Sequence, residues 1–96
     1  MMVVVSYDVS TLTGEGRRRL RRIAQCCKDY GQRVQFSVFE CQVGENEWVL
    51  LRQRLLTEFC AKEDSLRFYF LGEEGHRRTE HHGTKTTIDF DGPLVV

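Results

Sequence analysis

The sequence lacks the patterns that mark several classes of protein. It has one proline, and no apolar run approaches the roughly 18 residues of a membrane-spanning helix. No basic leader precedes the first apolar run, so no signal peptide is predicted. We therefore expect a cytoplasmic protein with no membrane association.

The four cysteines do not have the spacing of zinc ligands. There is no Cys-x-x-Cys pair, and no histidine stands beside a cysteine at ligand spacing. Cys26 and Cys27 are adjacent, so they point to different sides of a helix. We interpret these two, with Cys41 and Cys60, as reduced and mostly buried thiols.

Charge is balanced overall but unevenly distributed. The 96 residues carry a net charge of zero and are 41% apolar, which fits one small globular domain over residues 1–96. Residues 1–36 hold seven basic residues against three acids, and eleven of the fourteen basic residues are arginine. Since arginine is suited to bidentate phosphate contacts, this distribution favours a phosphate-bearing partner.

Periodicity predicts alternating strands and helices. Residues 2–8 form an apolar strand pattern, and helical spacing of apolar residues predicts helices over about 14–30 and 45–61. Residues 33–43 are strand-like, either as one strand or as two with a turn near Phe36–Ser37. A further strand is predicted over 66–71.

The last quarter of the chain is more polar. We predict a polar loop over 73–78, a β-like segment over 84–90 and an apolar tail at 94–96. The whole order predicts an α+β fold, a ferredoxin-like βαββαβ plait with an additional C-terminal strand. Both helices would cover one sheet face, and the free face would form a dimer interface. Residues 84–96 would then pack on the dimer partner.

Asp8 is the sharpest candidate for a functional residue, because it ends the first buried strand. One carboxylate can hold a divalent cation with water and phosphate, and two copies near a two-fold axis could share one ion. The alternative is a turn or cap acid. Ser37 could be a nucleophile, but no base for it is evident, so it also reads as a polar strand or turn residue.

Two clusters of basic residues could bind nucleic acid. Residues 17–22 contain five arginines, of which at most three could face one ligand. A solvated helix face paired with acids is the alternative. The second cluster comprises His76, Arg77, Arg78, His81 and His82. We predict a loop or partner-docking segment there rather than a metal site, because adjacent residues of an extended chain point oppositely.

Four motifs resemble signatures of the small CRISPR-associated spacer-acquisition (adaptation) protein family. They are Val4–Asp8, Gly31–Glu40 with its Arg-Val-Gln-x-Ser-Val-Phe-Glu pattern, Asp64–Tyr69, and Thr87–Leu94, which resembles the subtype I-C branch. Each motif alone is weak, but the four stand in order at unchanged spacing over nearly the whole chain.

The resemblance implies a ferredoxin-like homodimer whose C-terminal strand crosses to the partner's sheet. It implies that the dimer bridges CRISPR integrase subunits and binds duplex DNA for integration of new spacers. It also implies a competing function as a magnesium-dependent endonuclease that cleaves single-stranded RNA or double-stranded DNA.

The resemblance also assigns residues to the site. It makes Asp8 the metal carboxylate, with Mg²⁺ or another divalent cation shared between the two Asp8 residues of the dimer. Catalytic positions match Asp8, Tyr7, Ser37 and Phe39. Together with the two basic clusters, it gives the candidate nucleic-acid-binding residues Arg17, Arg18, Arg21, Arg22, Arg33, Arg77 and Arg78.

Overall fold

The structure is a computed structural model that describes residues 1–72 and 77–84. Two helices and five strands lie within these ranges. In chain order they are β1 (Met2–Asp8), α1 (Gly14–Tyr30), β2 (Gln32–Gln35), β3 (Val38–Gln42), α2 (Glu45–Glu58), β4 (Ser65–Leu71) and β5 (Arg77–Gly83). No described helix is long and apolar enough to cross a membrane.

The strands form one sheet in the order β2-β3-β1-β4-β5. β1 lies at its centre and pairs antiparallel with β3 on one side and β4 on the other. The first four strands and the two helices form the ferredoxin-like plait, so the predicted fold is confirmed. Residues 33–43 contain two strands, with Phe36–Ser37 as the turn between them and an irregular register between Arg33 and Gln35.

Burial alternates along β1 and so distinguishes the two faces of the sheet. Val3, Val5 and Tyr7 are buried under the helices, whereas the residues between them are only half-buried. Trp48 of α2 packs edge-on against Phe68, with the ring centroids 4.9 Å apart. Burying each large apolar side chain of this core stabilises the fold by about 1.5–3 kcal/mol.

Both ends of α1 are closed by hydrogen bonds. The Thr13 hydroxyl accepts a hydrogen bond from the Gly16 amide at 3.1 Å and so caps the first turn. The Gly31 amide donates to the carbonyl of Cys27 at 2.8 Å and ends the helix. α2 ends at Glu58, three residues before the predicted limit near residue 61, and Phe59 is its C-cap.

The main error of the sequence prediction lies in β5. The loop predicted at residues 77–78 and around His81 and His82 is wrong, because Arg77–Gly83 forms a strand paired with β4 at the edge of the described sheet. Residues 73–76 of the predicted loop lie outside the described residues, and docking of this segment on a partner stays a prediction. Two side chains of β5, Glu80 and His82, make contacts on the face of the sheet that the helices cover. Glu80 binds Arg52 of α2 at 2.6 Å, and the ring of His82 lies 5.9 Å from that of Phe68. His76 and the predicted strand and tail over 85–96 lie outside the described residues.

The face of the sheet opposite the helices carries a mixed set of side chains. Strand alternation places Val4, Asp8, Arg67, Tyr69 and His81 on this open face. No described helix packs over it. This open face is therefore the surface on which the sequence predicted dimerisation.

Candidate functional site

Asp8 ends β1 as an exposed carboxylate. It borders a surface pocket of about 500 Å³. The pocket is lined by Ser6, Tyr7, Asp8, Val9, Leu20, Phe36 and Ser37. The structure therefore brings together three of the four predicted catalytic positions, Asp8, Tyr7 and Ser37, and Asp8 is the only carboxylate in this lining.

The β2–β3 turn reaches the pocket through backbone contacts. The Tyr7 amide donates to the Ser37 carbonyl at 3.1 Å, next to the last paired residues of β1 and β3, Ser6 and Val38. Ser37 itself is half-buried. The turn is therefore held directly beside the end of β1, and the site depends on β2 and β3 being two separate strands.

Tyr7, Arg33 and Phe39 form one packed cluster behind the pocket. The Tyr7 and Phe39 rings stack with centroids 6.2 Å apart, and the Arg33 guanidinium lies 5.0 Å from the Phe39 centroid. The buried Tyr7 hydroxyl has no aligned hydrogen-bond partner among the described residues. Burial raises the pKa of Tyr7, and nearby Arg33 only partly opposes this, so Tyr7 stays protonated at neutral pH.

Phe39 is fully buried. Its side chain can therefore act on the pocket only through the residues packed against it, Tyr7 and Arg33. Its burial fits a residue that positions others rather than one that contacts a ligand, in contrast to the exposed Asp8.

The side-chain oxygen atoms in the pocket are the kind of ligand that a hard cation prefers, but they are too few to fill its coordination sphere. Mg²⁺ is commonly bound through one or two carboxylates, with waters and substrate phosphates completing its six ligands. No group of three or more His, Cys, Asp or Glu within residues 1–72 and 77–84 could hold a metal ion. The Asp8 carboxylate fits a water-rich site of this kind, to which a second copy of the chain would add a second carboxylate.

The five arginines of α1 divide into different roles. Arg19, which was not among the predicted contacts, turns inward and binds Asp64 at 2.9 Å. Arg22 lies 3.7 Å from Glu58.

The other three are exposed. Arg17 donates to the backbone carbonyl of Thr11 at 3.2 Å, which occupies a single donor. Arg18 and Arg21 form no ion pair with any described residue. Arg17, Arg18 and Arg21 therefore form the part of the run that can bind phosphate, and we call these three the arginine face.

The remaining predicted arginines differ in how the structure presents them. Arg33 is stacked over the Phe39 ring, as described above. Arg77 and Arg78 begin the edge strand β5. The α2 arginines were not predicted contacts, and they are occupied: Arg52 binds Glu80 at 2.6 Å and Arg54 binds Asp29 at 3.0 Å.

Asp64, which was not among the predicted site residues, is a fully buried carboxylate. It accepts hydrogen bonds from the Ser10 amide at 3.1 Å, the Cys60 amide at 2.9 Å and the Arg19 guanidinium at 2.9 Å. Burial alone would raise the pKa of Asp64, but these donors hold it below its usual value.

Through Ser10, Asp64 fixes the chain two residues beyond Asp8. A signal for this residue was present in the sequence, because Asp64 begins the third family motif.

Known proteins resemble this chain in both sequence and structure. The model of the family described as CRISPR associated protein Cas2 matches residues 1–79. The CRISPR-associated endoribonuclease Cas2 of Chlorobaculum tepidum is 58% identical over 96 residues, which is 100% of each chain. The CRISPR-associated endonuclease Cas2 of Halalkalibacterium halodurans is 43% identical over 95 residues, 99% of each chain. A crystal structure of Streptococcus pyogenes Cas2 matches with a TM-score of 0.70 and 56% identity, covering 76% of this chain and 88% of that one.

Proposed function

The chain belongs to the Cas2 family of CRISPR-associated proteins, and we propose that it acts in spacer acquisition as a homodimer that binds duplex DNA and bridges integrase subunits. In this function the protein holds DNA rather than cutting it. The observation that carries the proposal is the arginine face of α1, because its cationic side chains form no ion pair with an acid in residues 1–72 and 77–84.

The arginine face is next to the candidate site. Leu20 of α1 lines the Asp8 pocket, and Arg17 lies one helical turn before it. A duplex lying along α1 would therefore pass beside Asp8. Each phosphate that these arginines neutralise releases counterions, so binding should weaken steeply as salt is raised.

The open face of the sheet supports the homodimer. It carries Val4 and Tyr69 as half-buried residues, and Leu71, which is 49% exposed. A domain of this size buries less of its surface than a larger one, and covering such a face with a second copy extends the core. A two-fold axis through this face would bring the two Asp8 strand ends into one assembly.

The salt dependence of DNA binding tests the DNA-holding function. In Arg18→Ala with Arg21→Ala, the slope of log affinity against log salt for duplex DNA should fall by up to about two, about one for each phosphate that is no longer neutralised. Arg54→Ala is the matched control, because Arg54 is ion-paired on α2. An unchanged slope in the double variant, with folding intact, would show that the arginine face is only a solvated surface.

The second candidate is a magnesium-dependent endonuclease acting on single-stranded RNA or double-stranded DNA. It is favoured by the Asp8 carboxylate in its pocket, and by the nuclease names of the two relatives, of which only one specifies RNA. When bound, Mg²⁺ would polarise a phosphate and lower the pKa of an attacking water. Asp8 would hold the ion, Arg17 would orient the strand, and Phe39 would support Tyr7 and Arg33 from behind.

Asp8→Asn separates the two functions. The change removes the charge that holds a cation while preserving the shape of the side chain, so Mg²⁺ binding measured by calorimetry and any cleavage should be lost. Spacer acquisition should continue if the protein acts by holding DNA. Loss of acquisition, with dimer and integrase complex intact, would overturn that function in favour of the endonuclease.

A further inference from the structure

Phe36 is a large apolar side chain left in solvent beside the Asp8 pocket. Its side chain lies in the two-residue turn between β2 and β3 and is 82% exposed. The next aromatic along the chain, Phe39, is fully buried. Phe36 also lines the pocket that contains Asp8 and Ser37. A phenylalanine exposed to this extent gains nothing from the core of this chain.

The position of the Phe36 ring is nevertheless constrained. The Arg33 guanidinium lies 5.8 Å from its centroid and 5.0 Å from that of Phe39, so one cation contacts both the exposed and the buried ring. The hydrogen bond from the Tyr7 amide to the Ser37 carbonyl fixes the turn at the end of β1. A ring that is exposed but already positioned loses little freedom when a flat ligand stacks on it.

We propose that Phe36 is a stacking platform for one unpaired nucleobase of a strand whose phosphates lie on the arginine face of α1. The inference rests on the proposed binding of nucleic acid, and it adds that the pocket takes single-stranded rather than fully paired chain. An aromatic ring next to a cationic surface is the combination by which proteins bind single strands, with arginine taking the phosphates and the ring taking the base.

The size and setting of the exposed ring favour a base over a protein partner. A stable protein interface covers about 800 Å² on each side, whereas one ring offers a small fraction of that area. A base inside a duplex keeps both faces stacked on its neighbours, so it must be unpaired to reach Phe36. The arginine face supplies the charge needed to hold the adjoining phosphates.

The test measures the affinity of the protein for a labelled short single strand and for a duplex of the same sequence. EDTA is present so that no metal-dependent cleavage occurs. Phe36→Ala should weaken single-strand binding by about 5- to 150-fold, the usual range for one base–aromatic stack. Duplex binding should be unchanged. Phe36→Trp should restore single-strand binding, and a strand with an abasic site should remove the difference between native protein and Phe36→Ala.

Leu12→Ala is the control, because Leu12 is 91% exposed and does not line the pocket. If the native protein binds the single strand and Phe36→Ala binds it equally well, the stacking platform is overturned and the proposed function stands. No binding of either nucleic acid by the native protein would overturn both. If light scattering shows a dimer for the native protein and a monomer for Phe36→Ala, the ring packs against a second copy of the chain, and the platform is overturned.

Discussion

Replacing Asp64 by alanine should be among the most damaging single changes in this fold. The side chain is fully buried and accepts from two backbone amides, Ser10 at 3.1 Å and Cys60 at 2.9 Å, as well as from Arg19. Alanine leaves the Ser10 and Cys60 amides without their acceptor in a poorly solvated place, and it leaves the Arg19 guanidinium with only the half-exposed Glu63 carboxylate. Each unsatisfied buried donor costs about 1–3 kcal/mol, and removing one partner of a buried ion pair about 3–5 kcal/mol.

We therefore expect Asp64→Ala to lower the free energy of unfolding by about 3–5 kcal/mol, a large part of the 5–15 kcal/mol typical of small proteins. In thermal unfolding this corresponds to a decrease in Tm of about 12–40 °C for a domain of this size. Urea unfolding and thermal scans at neutral pH measure both, at one fixed protein concentration because association would also shift them.

Glu63→Ala is the matched control for Asp64→Ala. Glu63 binds the same guanidinium at 3.2 Å, but its side chain is 48% exposed, so its loss should cost less than about 1 kcal/mol. Equal costs for the two variants, or an Asp64→Ala protein as stable as the native one, would refute the assignment of Asp64 as a buried structural acceptor. Intermediate stability in Asp64→Asn would agree with it, since the amide keeps one accepting oxygen.

Three further outcomes follow from the structure. The pKa values of Asp64 and Glu80 lie below their ordinary values of 3.8 and 4.5. The two ionised carboxylates therefore stabilise the fold fully above those values, and this stabilisation is lost as pH falls below about 4. Urea unfolding midpoints measured as a function of pH would show the loss. Gly83→Ala should lower the free energy of unfolding by more than about 1 kcal/mol, because φ is +110° and a Cβ would lie 1.9 Å from the Asp64 carbonyl; a stable variant would contradict this. Glu80→Gln should speed amide exchange in β5 but not in α1, since Glu80 joins the edge strand to Arg52.

The sequence predicted the plait because its central elements have strong periodicity. The apolar strand pattern of residues 2–8 and the helical spacing over 14–30 appear directly in the burial of Val3, Val5 and Tyr7 and of Ile23 and Cys27. β5 was missed because its residues show no apolar alternation, and it is held instead by backbone pairing and by contacts of Glu80 and His82 with distant side chains. Such contacts are tertiary, so no local pattern reveals them.

The sequence predicted where the candidate residues lie in the fold, but not which side chains surround them. Asp8 was chosen because a charged residue ends an apolar strand, and its role as a site residue stays a prediction. The arginine run was found as a whole, but which of its members turns inward depends on Asp64, which is 45 residues away from Arg19. The exposure of Phe36 also depends on tertiary structure, since the sequence left residues 33–43 open as one strand or as two with a turn near Phe36–Ser37.

The register across the sheet sets a distance that is useful for measurement. Asp8 pairs with Ser65, and Ser65 pairs with Gly83, so these three residues form one row across three adjacent strands. Neighbouring strands are about 4.8 Å apart, which puts the end of β5 roughly 10 Å from the end of β1. A fluorophore or spin label attached at Thr84, the residue after this row, would report on a paramagnetic cation or a labelled strand at Asp8 without changing any residue of the pocket.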